Sequence, residues 1–494
     1  MTKRIIALCL ALVLLPGLLT ACSETPDKAD ESPTQQTVSP ENISVEEETE
    51  SPTPHWDAVR KEDLGGMNMN ITCAEFDSNY YNVVDWDEIS GEMLADAMYD
   101  RNRYIEAQLN CLMVLNYSQE VTKLEQSVIS GSGDVDLTYA LVSNGGNLLQ
   151  KGYLTPFNKL ATVDMTQPYW DQGSQKDLKL LGQMFYGFVD FGFDHYDSMT
   201  VLFYNGALLT QYQLEDPQEL FLSDEWTVDK MVEQLQAVST DIDGDGKFNL
   251  RKDVFGLVGR EYNFQPIEYA SGVRLVTWNE EERSFSLNMS DEHFIDIAHS
   301  IAQVYSKNNP YTDYANYDQG RIAFSDGRSL YYSRLLGDFR QLREVEDDYG
   351  VVCFPRYSLD GGETSYFVQN PTTLFLPLVV GDDNGDREPD FNEIGIFLEA
   401  QGAYTYDNTL SVYIENAVIG KGMRDEKSAE MVRIMMRNRS FDLTQAYNFQ
   451  SLSSNFASCV IKDSNYASAA KKMEKNFNKA AQRIVKEIES HLDD

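Results

Sequence analysis

Between residues 67 and 141 the chain alternates strand and helix patterns in a way that admits few architectures. Residues 67–76 (MNMNITCAEF) put Ile71 and Cys73 on one face of a strand. In residues 90–108, Leu94, Ala97, Met98 and Ile105 recur at spacings that sum to helical turns. Residues 109–115 (LNCLMVL) form a second, largely apolar strand pattern, and residues 133–141 (GDVDLTYAL) a third. Strand, crossover helix and apolar strand predict an α/β fold whose parallel sheet is covered on both faces. At 494 residues the chain exceeds the roughly 250–300 that one core serves, so a second core is expected.

A second block supplies it. Residues 185–189 and 200–204 read as apolar strands. Thr227 is placed as the N-cap of a helix with Met231, Leu235 and Val238 on one face. Residues 254–258 read as a strand, 273–287 as a hairpin turning near 279–282, and 294–306 as a helix. Residues 321–341 read as strand, loop and helix, and 349–355 as a strand. From residue 396 the pattern is mostly helical, with helices at 396–404, 409–418, 428–437 and 467–492. The last carries an apolar stripe of Met473, Phe477, Ala480, Ile484 and Ile488.

The N-terminus is of a different kind. Lys3-Arg4 precede an apolar run, residues 5–19, too short to span a membrane comfortably and suited to a signal-peptide core. It ends Leu19-Thr20-Ala21-Cys22, which resembles a lipobox, so residues 1–21 are expected to be removed and Cys22 acylated. Acyl chains would then hold the protein at the outer face of the cytoplasmic membrane, the lipid anchor being its only membrane contact. Residues 22–60 are acidic and proline-rich, with five of the fifteen prolines at positions 26–54. Such a composition buries too little surface to offset ordering entropy, and a disordered tether is expected. The folded domain is then residues 61–494.

Charge removes a class of functions. With 79 Asp+Glu against 40 Lys+Arg, the net charge is −39, and no basic footprint for nucleic acid or anionic lipid exists. Five histidines and irregularly spaced cysteines argue against His-rich or Cys₄ metal sites. Cys73, Cys111 and Cys353 fall on strands, where buried reduced thiols are expected; the redox state of these and of Cys459 is left open.

Several stretches together resemble the extracellular solute-binding lipoproteins of bacterial ABC importers, in the sugar-type, clostridial branch. They are the lipobox with its acidic tether, residues 91–110 (GEMLADAMYDRNRYIEAQLN), and 134–160, where DVDLTYAL is followed by LLQKGYLTPFNKL. Residues 201–209 (VLFYNGALL) leading to 225–233 (EWTVDKMVE), and 398–406 (LEAQGAYTY) with 424–443 (RDEKSAEMVRIMMRNRSFDL), complete the set. The resemblance implies a two-lobed, type II periplasmic-binding-protein-like fold with a ligand cleft between the lobes and a helical C-terminal region. It implies a small-molecule solute, a sugar above others, as ligand, ABC permease subunits as partners, and no catalysis. Lobe 1 is then expected at about 61–165 plus 310–365 and lobe 2 at about 175–305 plus 375–494, with crossings near 165–185 and 365–380.

In such sheets ligands sit past the carboxyl ends of strands, and sugars need aromatic faces and planar polar partners. That logic selects Asp77, Asn79, Tyr80 and Tyr81 after the first strand, and Tyr139, Ser143 and Asn144 at the third. Trp170, Asp171, Asn205, Tyr331, Tyr332 and Arg334 complete the candidates; packing is the competing reading for each. A separate signal lies in residues 241–253 (DIDGDGKFNLRKD). Asp241, Asp243 and Asp245 alternate as in an EF-hand loop, Gly246 permits the turn, Lys247 offers a carbonyl and Asn249 fills position nine. Position twelve is Lys252 and not Glu, with Asp253 next, so a structural calcium and a bare acidic turn both stand. Asp382-Asp383-Asn384-Gly385-Asp386 is a weaker echo, read as a solvated turn. No nucleophile elbow, zinc motif, Walker loop or dinucleotide fingerprint occurs. Dispersed carboxylates leave a glycosidase as the alternative, and peptide or polyamine binding or sensing without transport also remain open.

Overall fold

The computed structural model describes residues 54–74, 84–86, 88–260, 264–307, 309–314, 317–358, 364–385 and 387–492. The tether, Cys22 and the loop bearing Asp77, Asn79, Tyr80 and Tyr81 lie outside them.

Two five-stranded sheets organise the body. The first runs β2-β1-β3-β13-β4, from β1 (Met67–Cys73), β2 (Cys111–Asn116), β3 (Leu137–Leu141), β4 (Leu154–Thr155) and β13 (Thr372–Pro377). β1 pairs in parallel with β2 and β3, as the alternation predicts, while β13 joins β3 antiparallel. The helix Met93–Leu109 makes the crossover from β1 to β2. Glu92 caps it by accepting from the N–H groups of Leu94 and Ala95, and Leu94, Met98, Ile105 and Leu109 are its buried residues. The second sheet runs β11-β5-β10-β6-β9, from β5 (Thr200–Asn205), β6 (Phe255–Gly259), β9 (Thr312–Tyr314), β10 (Ser329–Leu335) and β11 (Tyr349–Val352). β6 is parallel to β9 and β10, whereas β5 is antiparallel to β10 and β11. A hairpin, β7 (Val276–Asn279) with β8 (Ser284–Leu287), turns where expected, and β12 (Tyr366–Phe367) pairs with β14 (Arg439–Ser440). The mixed α/β, two-lobed architecture is thus present.

Three expectations are corrected. Residues 312–352 belong with 200–259 in the second sheet, not with the first as expected for 310–365, and 372–377 returns to the first sheet. Register decides this: Tyr331 opposes Tyr204 and Thr373 opposes Ala140. Residues 321–325 end a helix, Tyr317–Ser325, and the strand follows as β10. A short apolar run such as IAF is ambiguous by period alone, and Ala323 and Phe324 pack fully buried on the helical side of that choice. The first crossing lies at 187–199, downstream of 165–185: Gly187 bridges Leu374 and Met199 bridges Val368. The C-terminal region is helical as expected, and the last helix, Tyr466–Ser490, buries Phe477, Ala480, Ile484 and Ile488. All four cysteines of the body are free and buried, and burial pushes the Cys111 and Cys353 thiols up to about 12.

The crossings carry charge into the interior. Arg439 on β14 pairs with Asp171, whose side chain is 2% exposed, and its guanidinium carbon stands 4.5 Å from the centre of the Tyr196 ring. Burial alone would raise the Asp171 carboxyl. Arg439, His195 and the Ser174 N–H outweigh it and hold the group below its usual value. The stability from this shift is therefore present above the unfolded carboxylate range and lost as pH falls through it. Replacing Arg439 with Met leaves the carboxylate buried and unpaired, and is expected to cost about 3–5 kcal/mol in a denaturant melt at pH 7. The deficit should shrink as the pH of the melt approaches 4.

Candidate functional site at the lobe crossing

The carboxyl ends of strands from both sheets open onto one pair of crossing segments. β3 ends at Leu141, and the next N–H, of Val142, donates to the Pro371 carbonyl at 2.7 Å. β10 ends at Leu335, and the Leu336 N–H donates to the Met199 carbonyl, also at 2.7 Å. Segments 198–200 and 368–371 therefore form a floor reached from either sheet. That floor is rich in amides. Asn370 Oδ1 accepts from the Ser143 N–H at 3.1 Å, and the Asn370 N–H donates to Gln445 Oε1 at 2.7 Å. The Gln369 N–H donates to the Ser198 carbonyl at 2.8 Å, and Thr200 Oγ1 donates to Gln369 Oε1 at 3.5 Å. Ser143, Asn144, Gln369, Asn370 and Gln445 are all half-buried. Asn370 holds a left-handed φ of 46° just before Pro371, a conformation that Asn tolerates better than most residues.

Behind the floor the buried carboxylates have close polar or cationic neighbours. Asp194 Oδ2 accepts from both the N–H and the hydroxyl of Thr372, at 2.6 and 2.9 Å. Asp197 meets Arg340 at 2.9 Å and the Tyr413 hydroxyl at 2.7 Å. His195 Nε2 lies 3.0 Å from Asp190 Oδ1. The chemistry offered at the floor is hydrogen bonding without net charge.

The sequence candidates divide against this geometry. Asn144 and Ser143 stand at the floor. Tyr139 lies beneath it, 3% exposed, its ring 5.4 Å from that of Phe191, and burial raises its phenol well above the usual value. Tyr332 and Arg334 come together on one acceptor: the Tyr332 hydroxyl and Arg334 Nε each donate to Asp338 Oδ2 at 2.9 Å. Tyr331 is fully buried against Trp226, whose indole N–H donates to the Cys353 carbonyl at 2.9 Å. Asn205 is also buried, capping the helix Gly206–Tyr212 and donating to Asp347 at 2.9 Å. Because β5 runs antiparallel to β6 and β10, its carboxyl end points away from the crossing, which removes the reason for choosing Asn205. Trp170 offers no face to a ligand. It is 0% exposed, and its indole donates to Glu399 Oε1 at 2.7 Å while the Tyr169 hydroxyl takes Oε2 at 2.6 Å. Asp171 serves Arg439 and caps the helix Gln172–Leu178. Gln369, Asn370 and Gln445 were not selected from sequence; the Asn-Pro turn signal at 370–371 could have marked the first two.

The acidic loop is a separate candidate metal centre. Asp241, Asp243 and Asp253 bring carboxylate oxygens within 4.8 Å of one another. Asp241 accepts from the N–H groups of Gly244 and Gly246, and Asp253 from those of Ile242 and Asn249. Lys252 Nζ lies 2.6 Å from Asp243. Asp245 accepts from the Lys247 N–H at 2.7 Å and Asn249 from the Arg251 N–H at 2.9 Å.

Residues 105–383, more than half of the chain, match the family model described as bacterial extracellular solute-binding protein. The chain belongs to that family. Solved structures agree at the level of fold. A cyclo/maltodextrin-binding protein complexed with maltotetraose superposes with a TM-score of 0.54 at 11% identity, covering 84% of this chain and 97% of that one. A Listeria monocytogenes ABC substrate-binding protein in complex with cycloalternan gives 0.52 at 12% identity, over 84% of this chain and 98% of that one. The Staphylococcus aureus extracellular solute-binding protein in complex with maltose gives 0.52 at 12%, over 85% and 98%. No curated protein matches. Among the described residues no helix is long and apolar enough to cross a membrane.

Because Trp170 is a packing residue of this solute-binding protein, Trp170→Ala is expected to destabilise the body by about 3–5 kcal/mol in a denaturant melt. A melt unchanged within error, with ligand binding lost, would return the indole to the cleft.

Proposed function

We propose that the protein captures a neutral, hydroxyl-rich solute, a sugar or oligosaccharide, between its lobes and passes it to an ABC permease. The lipid on Cys22 would keep it at the outer face of the membrane. The observation that carries this reading is the uncharged amide floor at the lobe crossing. Paired acceptors and donors of fixed geometry suit hydroxyls, whereas a peptide terminus or a polyamine would need a charge that the floor does not offer. The sugars in the three neighbouring structures support the same class. Contacts from both lobes would make the closed state the ligand-selected one.

A thermal-shift screen of the full chain against sugars, peptides and polyamines tests it. The expected result is a reversible rise in melting temperature with one or a few saccharides, each recovered intact. Asn370→Ala loses the acceptor of the Ser143 N–H and fits φ 46° less well, so its ligand-free melt should fall somewhat, and measured against that melt much of the ligand-induced rise should be gone. Stabilisation by polyamines or peptides alone, or new reducing ends in the recovered sugar, would sink the assignment.

The loop 241–253 is proposed as a structural calcium site outside the cleft. Hard carboxylate oxygens suit calcium, and Lys252 would have to leave Asp243 to admit it. Chelator is expected to lower the melting temperature and calcium to restore it, since a ligand of the native state stabilises that state. If Asp241→Asn/Asp243→Asn responds to both additions as the wild type does, the loop is only an acidic turn.

A further inference from the structure

Far along the chain from that loop, a second group of carboxylates has no cation to answer it among the described residues. Residues 381–393 follow β13 and carry Asp382, Asp383, Asp390 and Glu393, and Asp136, just before β3, stands beside them. None of these five ion-pairs with a described Lys or Arg. Asp136 and Asp390 are both 0% exposed, and in each Oδ1 is enclosed without a hydrogen-bond partner among the described residues. Their other oxygens are engaged. Asp136 Oδ2 accepts from the Asn70 N–H, and Asp390 Oδ2 from the Asp383 N–H, each at 2.6 Å. Asn70 Nδ2 donates to Asp383 Oδ2 at 2.8 Å, so two carboxylates meet at Asn70 of β1, and Asp390 joins them through the Asp383 N–H.

The loop repeats the construction of residues 241–253. Asp382 accepts from the N–H groups three and five residues on, Gly385 and Arg387, at 2.8 and 2.9 Å. Asp241 does the same with Gly244 and Gly246, at 2.8 and 2.7 Å. In both loops a fully buried aspartate farther on takes the N–H that follows the first Asp, Asp253 from Ile242 and Asp390 from Asp383. The difference is in what remains free. Asp253 uses both oxygens and Lys252 sits on Asp243, whereas Asp390 and Asp136 each keep an enclosed oxygen unused. Among the described residues only the first loop gathers three acidic groups within 4.8 Å; in the second, Asp383 is exposed. Burial, with Asp383 and Asp390 nearby, pushes the Asp136 carboxyl up to about 7, and burial also raises Asp390. Such a site takes up either a proton or a cation.

We propose that Asp383 and Asp390, backed by Asp136, form a second divalent-cation site, of calcium type, that ties this part of the chain to the first sheet. An all-oxygen, carboxylate-rich donor set suits a hard ion over zinc or copper. The test is calcium titration of the full chain at pH 7.5 by calorimetry and thermal melt. It compares wild type, Asp383→Asn, Asp390→Asn, Asp136→Asn and the first-loop double variant Asp241→Asn/Asp243→Asn. The double variant is expected to keep one calcium-binding event and a calcium-dependent rise in melting temperature. Asp383→Asn, an exposed change that should not disturb folding, should weaken that event roughly 10-fold or more, and Asp390→Asn should remove it. Asp136→Asn should also lose the calcium response while melting no lower than wild type without calcium, because it relieves a crowded buried carboxyl. If the first-loop double variant shows no calcium response, or Asp383→Asn binds as tightly as wild type, Asp136 merely holds a proton and the proposal fails.

Discussion

The pairing of Arg439 with Asp171 holds together what the chain has separated by 268 residues. Asp171 precedes the first crossing, and Arg439 lies on β14, beside the second crossing at β12. A buried ion pair stabilises little against an apolar replacement of the same shape, but it tolerates no alternative partner, because either charge alone would be severely penalised. The same holds nearby for Asp197 with Arg340, while Asp194 is fixed by two hydrogen bonds from Thr372. The two segments that cross between the sheets thus have their polar groups committed to fixed partners. The relative position of β3 and β10, and with it the shared floor, depends on those commitments.

Local order was legible where one physical signal dominated. The β1–helix–β2 unit, the Thr227 cap, the β7–β8 hairpin and the stripe on the last helix each follow from periodicity or turn chemistry acting within about twenty residues. Thr227 indeed caps, accepting from the Lys230 N–H at 3.4 Å. What failed was non-local. Nothing in residues 310–365 says that β10 will lie between β5 and β6, since strand order is set by register and by which faces must be buried together. Chain proximity is a poor guide in a fold whose two lobes exchange segments.

The candidate site shows the same division. Choosing residues at the carboxyl ends of strands selected Ser143 and Asn144, which do lie at the lobe crossing, because that rule is geometric and β3 is a parallel strand. It misplaced Asn205, because the direction of β5 is invisible until its partners are known. Choosing by side-chain type misled more. Trp170 was attractive as a sugar platform, yet an indole is also the largest apolar group available to a core. Once Glu399 satisfied its N–H, no force kept it at the surface. Gln369 and Gln445 carry no pattern at all, and only the fold brings them together.

The distribution of charge explains how so acidic a chain can present a neutral floor. The net charge is −39, yet at the crossing Asp171 is paired with Arg439 and Asp197 with Arg340, and Asp194 accepts two hydrogen bonds from Thr372. The excess is carried by exposed surface and by the acidic loops, where water and ions screen it. A floor of amides set over compensated charges has a selective consequence. It can exchange water for hydroxyl groups at little electrostatic cost, whereas a cationic or anionic solute would lose hydration there without finding a counter-charge. In the proposed capture between the lobes, closure would sharpen that difference, because excluding water raises the penalty for every unpaired charge that it traps.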